Sequence, residues 1–174
     1  LSNNTLDITF DATTDKETVV NMTNHSYFNL NGDPSKEGTN IWLYINADNF
    51  TPADSTYMTT GEIRPVEGTP MDFRKAHALE ETINDTSFDQ IHNASGYDHN
   101  WCLNTYKNGK GDDTKVCAVL WSPVTKIGLS MYTNEPGVQV YTGNFQGTGV
   151  SCKHGIKYPK HVSVCLESQK YPDS

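Results

Sequence analysis

No stretch of this 174-residue chain approaches the roughly 20 consecutive apolar residues that a membrane-spanning helix needs, so a helical membrane span is excluded. Basic charge is also scarce. Lys and Arg total 13 against 21 Asp and Glu, a formal net charge of −8. An acidic chain without a basic run repels phosphate backbones, which sets aside nucleic acid as a partner for a charged face. The start, Leu1-Ser2-Asn3-Asn4, has neither the charged region nor the apolar run of a secretory leader. It has no initiator Met, so the chain is expected to begin within a longer protein. Cysteines are few and scattered: Cys102, Cys117, Cys152 and Cys165. None forms a C-x-x-C pair, which is poor for zinc and too sparse for a disulfide scaffold. Cys117 and Cys165 fall in apolar runs and read as small buried reduced thiols. With no leader and no paired cysteines, the expected compartment is the cytoplasm.

Hydrophobic residues make up 35% of the chain and the mean hydropathy is −0.62. Globular domains usually carry about 45–50% on a count that includes Gly, so the core is expected to be thin or incomplete. Aromatics at 10% nevertheless argue for a folded protein. The length suits one domain, residues 1–174.

Period-two alternation dominates what is there. Leu6, Ile8 and Phe10 alternate with polar residues, Asp15-Lys16 makes a turn, and Thr18 to Thr23 is β-branched; together they predict a hairpin. Ile41 to Ile45 reads as a strand covered on both faces. Further strands are predicted at Trp101–Leu103, Lys115–Trp121, Ile127–Thr133, Val138–Tyr141 and Val162–Leu166. Lys107 to Asp113 reads as an exposed hairpin turn. Ala76, Leu79 and Ile83 at helical spacing predict one short helix over Lys75–Ile83, and Asp85 to Asn100 reads as irregular. Short strands with frequent turn signals imply an all-β, antiparallel sandwich or barrel.

Polar clusters interrupt this pattern where a plain sandwich does not need them. Singly, each has a bland reading. A histidine after a strand is usually a surface residue, Asp98 near Gly96 a turn-former, Glu167 a solvated strand end, and Gln139 an outward-facing strand residue.

In order, however, they form five strings. These are Asn24-His25-Ser26-Tyr27-Phe28-Asn29-Leu30, the run Thr60 to Arg74 with Gly68-Thr69-Pro70-Met71-Asp72-Phe73-Arg74, and Gly96-Tyr97-Asp98-His99-Asn100. Then come Glu135-Pro136-Gly137-Val138-Gln139 with Tyr141-Thr142-Gly143-Asn144, and Leu166-Glu167-Ser168-Gln169 with Pro172-Asp173-Ser174. Over essentially its whole length the chain resembles the aldose 1-epimerase (galactose mutarotase) family. The resemblance implies a β-supersandwich of the galactose mutarotase type, here incomplete, with an open carbohydrate cleft. It implies interconversion of the α and β anomers of a free aldohexose such as galactose or glucose, with no metal and no organic cofactor. Carried over by motif, His25 looks like the general acid that protonates the ring oxygen. Glu167 looks like the base that takes the anomeric hydroxyl proton. Asp98 and Gln139 look like sugar-hydroxyl ligands.

The chemistry suits those residue types. Unperturbed carboxyl and imidazole pKa values of about 4.3 and 6.5 supply an ionised base and a usable fraction of charged acid near neutrality. The two groups are expected on opposite sides of the sugar, and Trp42, Tyr97 or Phe73 are candidates to stack on its apolar face. His99 is expected to support Asp98 structurally. The second active-site His and the substrate-binding Arg that the resemblance places earlier have no counterpart here. The chain therefore looks like a C-terminal portion, and alone is expected to have little activity. Rival readings are a hexose-6-phosphate 1-epimerase, for which Arg64, Arg74 and Lys75 are the only candidate phosphate ligands, a non-catalytic sugar-binding module, and a plain structural sandwich.

Overall fold

Alternating side chains decide how the strands lie. In Gly137–Tyr141 the apolar Val138 and Val140 point one way, and Gly137, Gln139 and Tyr141 the other. Val138 and Val140 are fully buried, so their face looks onto the core. The same rule sorts the other long strands of the computed structural model, which describes residues 3–173, except where a bulge between Ala47 and Asn49 shifts the register.

In chain order the strands are β1 (Tyr27–Phe28), β2 (Trp42–Ile45), β3 (Ala47–Thr51), β4 (Arg64–Pro65), β5 (His77–Ala78), β6 (Asp98–Leu103), β7 (Tyr106–Lys107), β8 (Lys110–Gly111), β9 (Ala118–Trp121), β10 (Gly128–Met131), β11 (Gly137–Tyr141) and β12 (Val164–Gln169). A six-stranded sheet runs β1-β12-β11-β6-β3-β4 and a four-stranded sheet runs β10-β9-β2-β5. Their pairings are antiparallel. Phe50, Trp101, Val138, Val140, Val164 and Leu166 from the larger sheet share one buried cluster with Leu43, Ile45, Ala118 and Leu120 from the smaller. Two sheets closing on one apolar layer make the expected antiparallel sandwich. Strands β7 and β8 form the predicted exposed hairpin. Lys107 pairs with Lys110, and Asn108-Gly109 both take positive φ, 53° and 76°, as a two-residue type I′ turn requires.

Four expectations are corrected. Residues 6–10 and 18–23 do not pair as a hairpin, and Leu6, Ile8, Phe10, Val19 and Val20 are exposed. Alternation yields a strand only where a partner edge and an apolar face receive it, and no described residue offers either to this segment. The Asn21 carboxamide ties it to the end of β12, accepting from the Lys170 N–H at 3.0 Å and donating to its carbonyl at 3.3 Å. The expected helix over 75–83 is instead β5 followed by one 3₁₀ turn, Leu79–Glu81. Its good helix formers are overridden because His77 and Ala78 complete the edge of β2. A short helix, α1 (Asp89–Ala94), lies in the segment read as irregular. It buries Gln90, Ile91 and Ala94, and the Gln90 side-chain Oε1 accepts the Ala53 N–H at 2.8 Å. Finally, β2 is covered on one face only: Leu43 and Ile45 are buried while Trp42 is exposed.

The polar string before β6 is held by its own side chains. Gly96 has φ 138°, and a Cβ there would meet Asn144 Oδ1 at 2.4 Å. That approach lets the Asn144 amide donate to the carbonyls of Ala94 and Tyr97 at 2.8 and 2.9 Å. The Tyr97 hydroxyl donates to the Pro70 carbonyl at 2.9 Å, and the Trp101 indole N–H to that of Met71 at 3.0 Å. These bonds fix where Asp98 enters the sheet.

Phe50 sits between His99 and Trp101 with ring centroids 6.2 and 6.5 Å away and is fully buried. Phe50→Ala should cost about 3–5 kcal/mol, seen as a lowered urea midpoint with little change in slope; an unchanged midpoint would contradict this core.

Candidate active site

The larger sheet has an apolar face on the core and a polar face away from it, and its register decides which residues share the polar one. On β12 the alternation puts Cys165, Glu167 and Gln169 together. On β11 it puts Gly137, Gln139 and Tyr141 together, and on β6 Asp98, Asn100 and Cys102. The pairings Gln139↔Glu167, Tyr141↔Cys165, Gln139↔Asn100 and Tyr141↔Asp98 align the three sets. On the far side of β12, Tyr27 pairs with Cys165, and the same antiparallel count continued by two residues brings His25 opposite Glu167.

All four residues singled out from the sequence meet on this face. His25 Nε2 lies 3.5 Å from Glu167 Oε1, with the imidazole about half exposed (48%) and the carboxyl largely covered (10%). The Gln139 amide donates to Asp98 Oδ1 at 2.8 Å, and Gln169 donates to the Gln139 carbonyl oxygen at 3.3 Å. This chain of amides orients Gln139 so that its donor faces Asp98. Glu167 sits inside β12, which runs three residues beyond the predicted end.

Burial sets the electrostatics. Desolvation raises the Glu167 carboxyl from 4.5 to about 7; nearby His25 opposes this and Asp98 adds to it. Asp98 is raised by the same desolvation, offset by the Gln139 hydrogen bond and by His25. Cys165 is pushed up to about 12 by burial and by the two carboxyls. His99 points to the core, where burial pulls it down to about 4. Its Nδ1 accepts the Asp98 N–H at 3.1 Å, the supporting part expected of it.

The aromatic expectation is corrected. Tyr97 and Phe73 are buried in the core, and Trp42 lies on the other sheet, edge-on to Trp121 at 6.1 Å. Tyr27 and Tyr141 flank the pair instead, with centroids 5.1 and 6.0 Å from the His25 ring. The signal for Tyr141 was its i+2 spacing from Gln139, and for Tyr27 its place in the His25 string. Asn100 and Gln169, which lie in the ordered strings without an assigned part, and Thr51, which lies in none, share this face. The Asn100 carboxamide and Thr51 hydroxyl are buried with no protein partner, and their positions pair across β3 and β6. Gly137 makes room for Asn100, since a Cβ there would stand 2.2 Å from Asn100 Oδ1.

Two carboxyls, an imidazole and two amides on one sheet face can move protons and bind hydroxyl groups. Fold and site together make an antiparallel sandwich with an imidazole and a carboxyl in contact on its polar face. The chain belongs to the aldose 1-epimerase family, whose model, described as Aldose 1-epimerase, matches residues 1–174. It is 40% identical over 168 residues to galactose mutarotase of Homo sapiens, covering 96% of this chain and 46% of that protein. It is 39% identical over 171 residues to aldose 1-epimerase of Escherichia coli (strain K12), covering 98% and 47%. Among solved structures, galactose 1-epimerase from Lactobacillus acidophilus NCFM superposes with a TM-score of 0.73 at 30% identity, over 91% of this chain and 42% of that one. The GalM/aldose epimerase homologue from C. elegans gives 0.71 at 28% identity. The fold is therefore the mutarotase-type sandwich expected. The chain spans about half the length of the curated relatives it matches.

Because Glu167 is raised from 4.5 to about 7, the folded protein holds this proton more tightly than the unfolded chain. The resulting stability is complete below about pH 4.5 and is lost as pH rises through about 7. Relative to Glu167→Gln, the wild type should lose about 1–3 kcal/mol between about pH 4 and about pH 8, in urea unfolding at several pH values. Parallel curves for the two proteins would contradict the raised carboxyl.

Proposed function

We propose that this face belongs to the active site of an aldose 1-epimerase acting on free aldohexoses such as galactose or glucose. The observation that carries the reading is the 3.5 Å contact between His25 Nε2 and Glu167 Oε1 beside the Asp98–Gln139 pair. Glu167 takes the proton of the anomeric hydroxyl while His25 delivers one to the ring oxygen. The C1–ring-oxygen bond breaks and the open aldehyde forms. Rotation about C1–C2 presents the other carbonyl face, and reclosure returns both protons with the roles reversed. The anomeric and ring oxygens are bonded to the same carbon, so an acid and a base this close suit them. This revises the opposite-sides arrangement expected from the sequence, because 3.5 Å is too narrow to span a pyranose ring. A carboxyl raised to about 7 is matched to proton transfer at neutral pH. Asp98 and Gln139 bind sugar hydroxyls, and Tyr27 and Tyr141 offer ring faces for its apolar side. No step calls on a metal or organic cofactor.

The phosphorylated-sugar reading has little support. Arg64 is held by Glu62 at 2.8 Å and Asp89 at 3.3 Å. Arg74 is held by Asp72 at 2.7 Å, with Asp48 and Glu67 nearby. Both guanidiniums are engaged by carboxylates, which weakens their claim on a phosphate. A cytoplasmic location is supported by free cysteines at 102, 117, 152 and 165. No described helix is long and apolar enough to cross a membrane.

In the protein that carries this chain, Glu167→Gln and His25→Asn should each slow mutarotation of fresh α-D-galactose by about 10²–10⁴-fold, followed by polarimetry. Rates unchanged by both substitutions would end the reading. The 174-residue chain alone should stay near the buffer rate, because its acid is half exposed and it spans about half the length of the relatives it matches. The same protein should act faster on glucose than on glucose 6-phosphate; the reverse order would favour the phosphorylated-sugar rival.

A further inference from the structure

Among the groups on the polar face that the proposed chemistry leaves without a part is the Cys165 thiol. Cys165 and Glu167 are two residues apart on β12 and point the same way. His25 reaches them from across the β1–β12 pairing, where Tyr27 sits opposite Cys165. One ligand atom from each of His25, Cys165 and Glu167 lies within 4.8 Å of the other two. His25 Nε2 and Glu167 Oε1 are 3.5 Å apart, close to the edge of a tetrahedron whose metal–ligand bonds are about 2.0–2.3 Å.

We propose that Cys165, His25 and Glu167 form a three-ligand site for a borderline-soft divalent cation of the Zn²⁺ class, which seats on the acid–base pair in place of the sugar. A thiolate, an imidazole and a carboxylate select such an ion over Mg²⁺ or Ca²⁺, which take oxygen ligands. Three protein ligands leave a fourth position for water, on the side where His25 is half exposed and an ion can enter. Asp98 shares the polar face, and its nearby negative charge raises both Glu167 and Cys165. Binding forms a metal–sulfur bond and breaks the S–H bond, and the thiol proton passes to solvent. Nothing is oxidised or reduced. Burial opposes ionisation of this thiol, and direct coordination to a dication overcomes that opposition. The site itself rests on geometry alone, whereas the expectation that the ion blocks catalysis rests on the acid–base reading above.

The test is a Co²⁺ titration of the protein that carries this chain, with the exposed Cys152 replaced by Ser. One ion per chain should give a near-ultraviolet thiolate-to-cobalt band and visible bands of tetrahedral intensity, and equimolar Zn²⁺ should abolish both. Cys165→Ser should remove the thiolate band. His25→Asn and Glu167→Gln should each weaken Co²⁺ by more than about 100-fold, beyond the loss typical of residues that only orient a ligand. A thiolate band that survives Cys165→Ser, or an affinity indifferent to His25→Asn, would overturn the site. His25→Asn alters a half-exposed side chain and decides the matter even if Cys165→Ser does not fold. In the protein that carries this chain, Zn²⁺ should slow mutarotation competitively with galactose. Cobalt binding as described without that inhibition would leave the metal site standing and refute the acid–base reading instead.

Discussion

The antiparallel register of β12 against its two neighbours is the constraint on which the site depends. It places Glu167 across from Gln139 on one side and, through Tyr27 opposite Cys165, within reach of His25 on the other. Slipping β12 by one residue would turn Glu167 into the core and Leu166 out to the polar face. The apolar layer forbids that slip: Val164 and Leu166 are packed with Val138, Val140 and Trp101 in the shared core. Packing on one face of the sheet thus fixes chemistry on the other.

The polar face pays for its position in desolvation. Glu167 and Asp98 both lie where their charged forms are disfavoured, and both are raised by burial. Partners hold the arrangement together: the Gln139 amide on Asp98, the Gln169 amide on Gln139, and His25 beside Glu167. A carboxyl displaced toward neutrality holds and releases a proton near pH 7, a use that an ordinary surface glutamate serves less well. Gly96 and Gly137 are the backbone counterpart. Each lacks a Cβ where an asparagine oxygen approaches within 2.4 and 2.2 Å, so the turn into β6 and the packing of Asn100 both need glycine there.

Much of this was legible in the sequence. The strands around Trp101, Val138 and Val164 announced themselves by apolar alternation, and the ordered polar strings contain His25, Asp98, Gln139 and Glu167, which the sheet brings to one face. What escaped was whatever depends on a partner. The Leu6–Phe10 alternation looks like a strand, yet no described strand or apolar face receives it. The formers in Lys75–Ile83 look helical, yet the free edge of β2 draws His77 and Ala78 into a sheet. Tyr27, Tyr141, Asn100 and Cys165 join the face only through cross-strand register, and one-dimensional spacing does not reveal which strands are neighbours. Trp42, Tyr97 and Phe73 show the converse: residues of the right type that packing sends elsewhere.

Carbon-13 NMR of the Glu167 side-chain carboxyl, titrated with pH in the wild type and in His25→Asn, tests most directly whether imidazole and carboxyl share one partly dry site. The structure predicts a midpoint near 7 that moves higher when His25 is lost, since the histidine favours the ionised carboxylate. A midpoint in the usual glutamate range, indifferent to residue 25, would mean that the two groups do not meet.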